Sequence, residues 1–183
     1  MTKTMAISRG FKALIKLPVL LKCLFVILLA GNTICFAATV DEKIQTAFDT
    51  MASTENQNDF YAAVRSITAL GNDAVPVLTK RLIAAADDEQ RVQISYVLGT
   101  ILGQAKFKRE TVNVPAELVE YTGQALLASQ ELAFEANLAN LAVSIAPHPA
   151  ELVPGLLALL ERTENEGLGA TTSVAIGSQG DGM

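Results

Sequence analysis

The pentapeptide PAELV occurs twice, at residues 115–119 and 149–153, 34 residues apart. An identical run returning at that interval means that the chain repeats a unit too short to bury its own apolar surface. The clearest copy of the unit is residues 72–103, NDAVPVLTKRLIAAADDEQRVQISYVLGTILG. It reads as two helical patterns around a polar corner. In the first, Asp73 stands at an N-cap position and Pro76 falls among the first turns, where a missing amide is tolerated. Val75, Leu78, Leu82 and Ala85 or Ala86 then recur along one helical stripe. Asp87, Asp88 and Glu89 form the corner and open the second pattern, where the helix dipole favours negative charge. Val92, Ile94, Val97, Leu98, Ile101 and Leu102 follow, and Gly103 is the expected stop. Two amphipathic helices joined by so short a corner must lie antiparallel, and the flanks of the pair need neighbours.

Those neighbours are legible on both sides. Ile44, Ala47, Phe48 and Met51 share one helical spacing, and Phe60, Ala63, Val64, Ile67 and Leu70 share another, which Gly71 ends. Residues 104–114 form the longest interruption. Beyond it, Leu118, Tyr121, Ala125, Leu126 and Ala128 face one way, and a further helix from about Gln130 carries Phe134, Leu138, Leu141 and Ile145. The last pattern runs from Pro149 to Arg162. The stripe Phe60, Val64, Ile67 maps onto Ile94, Leu98, Ile101 at an offset of 34, and onto Phe134, Leu138, Leu141 at a further 40. A competing register, Val-Pro at 75, 114 and 153, conflicts with the five-residue identity of PAELV at its middle member.

With these residues in view, the chain resembles the HEAT-like helical repeats. Leu98-Gly99-Thr100-Ile101 matches their helix end, Ala74-Val75-Pro76-Val77-Leu78 their entry, and Leu152-Val153-Pro154-Gly155-Leu156 nearly repeats that entry. Asp87 to Val92 looks like their acidic corner with its arginine. The resemblance spans residues 60–160 and implies an all-α fold, an α-α superhelix (HEAT-like solenoid) of about three and a half helical hairpins. Such stacks serve as scaffolds, adaptors and enzyme subunits, so the resemblance implies an architecture and not a reaction. The long interruption at 104–114 and Leu141-Ala142 in place of leucine-glycine depart from the pattern.

The two ends read differently. Residues 1–37 hold five basic residues and no acid, an apolar run at 23–30, and the small-x-small triplet Cys35-Phe36-Ala37. This is the pattern of a secretory signal, with Ala38 the first mature residue and a periplasmic destination. An uncleaved membrane anchor over residues 17–38 is the alternative. Without 1–37, nine basic residues face 19 acidic ones, a net charge of −10, and both cysteines (Cys23, Cys35) are gone. That charge disfavours nucleic acid and anionic lipid, so contact with a membrane is expected only through the N-terminal segment. The repeat domain is expected over 39–163. Residues 164–183, with glycine at 167, 169, 177, 180 and 182, read as a flexible tail, with at most a brief strand at 171–176.

The sequence advertises no catalytic constellation. His148, the one histidine, lies between prolines and reads as a turn residue. No glycine loop for phosphate, nucleophile elbow or alternating calcium loop accompanies it, so no cofactor and no metal is expected. Two features point to a protein or peptide partner instead. The 34 and 40 offsets place Ser66, Thr100 and Asn140 in one column, with Arg65, Tyr96 and Asn137 beside it; asparagine is a poor helix former, and two in one helix invite hydrogen bonds to a peptide. Lys106, Lys108 and Arg109, around Phe107, form the basic cluster of an acidic chain. The expected function is a non-catalytic exported module binding a partner in the cell envelope, with a membrane-anchored structural protein and a subunit of an enzyme complex as alternatives.

Overall fold

The computed structural model describes residues 38–145 and 150–180. Among them are eight α-helices and no strand: α1 (Val40–Ser53), α2 (Gln57–Thr68), α3 (Ala74–Ala84), α4 (Asp88–Lys108), α5 (Ala116–Ala128), α6 (Leu132–Ser144), α7 (Val153–Arg162) and α8 (Glu166–Gly180). The export signal, its anchored alternative, His148 and the first residue of the second PAELV lie outside the described residues.

Local chemistry divides these helices into two kinds. The second member of each pair starts at a tight corner with a side-chain cap. The Asn56 oxygen accepts from the Asn58 amide, Asp87 from Gln90, Glu131 from Ala133 and Phe134, and Asn165 from Leu168. Each cap satisfies amides that the first helical turn leaves without partners. First members start otherwise. Thr39 and Glu42 make a reciprocal capping box on α1, α5 follows Pro115, and α3 and α7 grow out of the 3-10 turns Gly71–Asp73 and Ala150–Leu152. Asp73 therefore does not cap α3. Its backbone is already helical at φ −67° and its side chain makes no cap bond, because the preceding turn supplies the entry.

Helices pack as pairs (α1 with α2, α3 with α4, α5 with α6, α7 with α8) and in two rows, α1–α3–α5–α7 and α2–α4–α6–α8. Helices α4 and α6 run parallel. The Asn137 side-chain amide of α6 donates to the Val92 carbonyl near the start of α4 at 2.9 Å, and Lys106 near the end of α4 donates to the Val143 carbonyl near the end of α6 at 2.7 Å. The core between the rows is continuous and contains Ile44, Ile67, Leu78, Leu98, Leu138 and Leu156, all fully buried. The stripes expected for α1 to α6 face this core, except that Ala86 and Ala128 are exposed.

Three expectations are corrected. The tail is a helix: α8 packs against α6 and α7 and buries Leu168, Thr172 and Ala175. The hydroxyls of Thr171, Thr172 and Ser173 donate to the carbonyls of Gly167, Leu168 and Gly169, so even the buried threonine is satisfied within the helix. Neighbouring surface therefore offsets the poor propensity of the glycines, and helices in proteins draw most of their stability from such packing. The count is accordingly four pairs, not three and a half. Finally, α4 does not stop at Gly103 but continues to Lys108. It ends where Arg109 turns left-handed at φ 59°, with the Glu110 amide donating to the Ala105 carbonyl at 2.9 Å and the Arg109 amide to Lys106. This is the Schellman arrangement with arginine in the position that glycine usually fills.

Candidate functional site

Ser66, Thr100 and Asn140 lie on α2, α4 and α6, successive members of one row. Ser66 and Asn140 are exposed, and Thr100 is half-buried. The Ser66 and Thr100 hydroxyls donate to the carbonyls of Ala63 and Tyr96 in their own helices, which leaves their oxygens able to accept. Tyr96 is 38% exposed on the turn before Thr100. Asn137 stands apart from this set. It is half-buried and its side-chain amide ties α6 to α4, so the reason for a poor helix former at this position is internal.

The basic residues also separate by role. Lys106 is held by the Val143 carbonyl, where a cation suits the C-terminal end of α6. Arg109 supplies the left-handed turn that ends α4. Lys108 remains exposed, and the structure brings it together with Arg65 of α2. These two line a groove of about 560 Å³ where α2 and α4 end, with Thr68, Asn72 and Gln104 on its walls and Ile101 and Ala105 among its lining. Sequence spacing did not mark this groove, because its walls come from different pairs. The sequence signals were Arg65, beside the polar column, and Lys108, in the basic cluster, with nothing to join them.

A second groove, of about 660 Å³, lies at the opposite, corner end, between the start of α4 and the α5–α6 pair. Tyr121, Gln124 and Phe134 line it together with Asp88, Arg91 and Glu131. Burial pushes the Tyr121 phenol above the ordinary tyrosine range, Arg91 opposes that rise and Asp88 adds to it. The charged groups here are engaged: Arg91 pairs with Asp88 at 2.8 Å and donates to the Ala85 carbonyl, and Glu131 caps α6. The groove thus sets a phenol and amides beside charged groups that already have partners.

Among the described residues no group of three or more His, Cys, Asp or Glu side chains could hold a metal ion, and no helix is long and apolar enough to cross a membrane. Comparison with family models, with curated proteins and with solved structures finds no match.

Proposed function

We propose that this protein is a non-catalytic, exported module of HEAT-like helical repeats that binds a protein or peptide partner in the cell envelope. The observation that carries the reading is the polar column Ser66, Thr100 and Asn140 on consecutive, mutually packed helices of one row. On this reading, polar groups at equivalent repeat positions supply a ladder of acceptors and donors along the row. An extended chain has matching groups at regular intervals, so such a ladder suits a peptide better than a compact metabolite. The N-terminal pattern of residues 1–37 supports export. A photo-reactive residue placed at Asn140 tests the reading in the living cell. A discrete protein adduct from Asn140, absent when the probe sits at Lys80 on α3 of the other row, supports it. No adduct from Asn140 sinks it. Ala38 as the first residue of the recovered protein supports export, and recovery of the intact N-terminus favours the anchored alternative.

A further inference from the structure

We infer that the groove where α2 and α4 end docks an acidic peptide segment, with Arg65 and Lys108 as its two cationic contacts. The inference rests on the partner-binding reading above and names the chemistry of the partner.

What distinguishes this place is that two cations without a carboxylate partner among the described residues line the same groove. Arg81, Arg91 and Arg162 each sit 2.7 to 2.8 Å from a carboxylate. Arg65 and Lys108 have no carboxylate within ion-pairing distance among the described residues. They line one groove of about 560 Å³ together with Glu110, which is within ion-pairing distance of neither. The Asn72 side-chain amide donates to the Thr111 carbonyl at 3.0 Å, which fixes the loop beside the groove before any ligand arrives. Preorganised walls lower the cost of binding. Gln104 offers a donor and an acceptor to a peptide backbone, and Ile101 and Ala105 offer apolar contact.

The occupant follows from the same charges. Two cations in one groove match a pair of spaced carboxylates, whereas a polyphosphate or an anionic bilayer presents denser negative charge than they can neutralise. Glu110, which also lines the groove, adds a local barrier to such density. Carboxylates spaced along a peptide can meet Arg65 and Lys108 with less charge set against Glu110.

The test is fluorescence anisotropy on the full chain with the labelled peptide Asp-Glu-Phe-Asp-Glu-Leu and its Asn/Gln counterpart. The acidic peptide is expected to bind, the neutral one not, and the affinity should fall as salt screens the contacts. Arg65→Ala with Lys108→Ala should weaken binding by about tenfold or more, and Glu110→Gln should tighten it roughly threefold. Lys80→Ala, on the other row, should change nothing. All four positions are exposed, and circular dichroism checks that each variant keeps its fold. Equal affinity for the neutral peptide, an equal loss with Lys80→Ala, no binding, or tighter binding to phosphatidylglycerol vesicles or single-stranded DNA would each overturn the inference. Failure here alongside adducts from Asn140 removes the acidic partner and leaves the partner-binding reading standing.

Discussion

The α3–α4 pair buries Leu78, Leu82, Ile94, Val97, Leu98 and Leu102, whereas the α7–α8 pair buries Leu156, Leu159 and Leu168 with Gly155, Thr172 and Ala175. Both pairs hold their places in the same two rows, so one position can be filled by side-chain volume or by close backbone approach. A Cβ on Gly155 would lie 2.7 Å from the Gly123 carbonyl oxygen of α5 and 2.8 Å from the Leu126 Cβ. Where such a contact sets the spacing, polar anchors fix the rest. Arg162, at the end of α7, donates to the Leu126 and Ser129 carbonyls and pairs at 2.8 Å with Glu135, whose side chain is 9% exposed. The close backbone approach at Gly155 leaves α7 little freedom to shift against α5.

The comparison can be broken first by truncation. Ending the chain after Thr163 removes α8 and uncovers faces of α6 and α7, an expected loss of about 5 kcal/mol from leucine-sized burial terms alone. Denaturant unfolding should show it, and an unchanged midpoint would return residues 164–183 to a tail. Next in size, Arg162→Ala strands a buried carboxylate and should cost about 3 kcal/mol. Arg81→Ala removes a pair at the same 2.7–2.8 Å separation, but with Asp41 65% exposed, and should cost under about 1 kcal/mol. Equal losses for the two arginines would contradict the distinction between anchored and solvated pairs.

Glycine substitutions sharpen the same contrast. Gly155→Ala should destabilise by about 2 kcal/mol because backbone atoms, not flexible side-chain ends, stand in the way. Gly99→Ala in α4 meets only the Leu141 amide nitrogen at 3.9 Å, ordinary contact. It should stabilise by up to about 1 kcal/mol through helix propensity. The smallest expected effect concerns caps: Asp87→Ala should lose about 1 kcal/mol, and Asp73→Ala, which breaks no cap bond, should be near neutral in the same thermal-unfolding series.

What could be read from the chain follows the same divide. Apolar stripes of leucine, isoleucine and valine announced α1 to α6 and their inward faces, since hydrophobic period is a local property. Helix α8 was hidden because its stability is not local. Glycine and threonine argue against a helix wherever propensity is summed along the sequence, and the compensating surfaces belong to α6 and α7. The end of α4 was hidden for a related reason. Gly103 stands where its Cβ would meet the Ser144 hydroxyl at 3.5 Å, a place of packing, while the true stop uses an arginine in a conformation that usually marks glycine. At the candidate site, repeat offsets assigned Ser66, Thr100 and Asn140 to successive repeats, and these residues do lie on successive helices of one row. The pairing of Arg65 with Lys108 in one groove was not, because it depends on where two helices end relative to each other. The internal bond of Asn137 was not legible, because its partner, the Val92 carbonyl, lies 45 residues away.

Amide hydrogen exchange across α8 of the full chain tests the account most directly. If packing against α6 and α7 holds this glycine-rich segment helical, the amides of Thr172 to Ile176 should be protected by at least about a thousandfold, in the range of the core helices. Exchange there at the rate of an unstructured peptide, with α4 still protected, would contradict it.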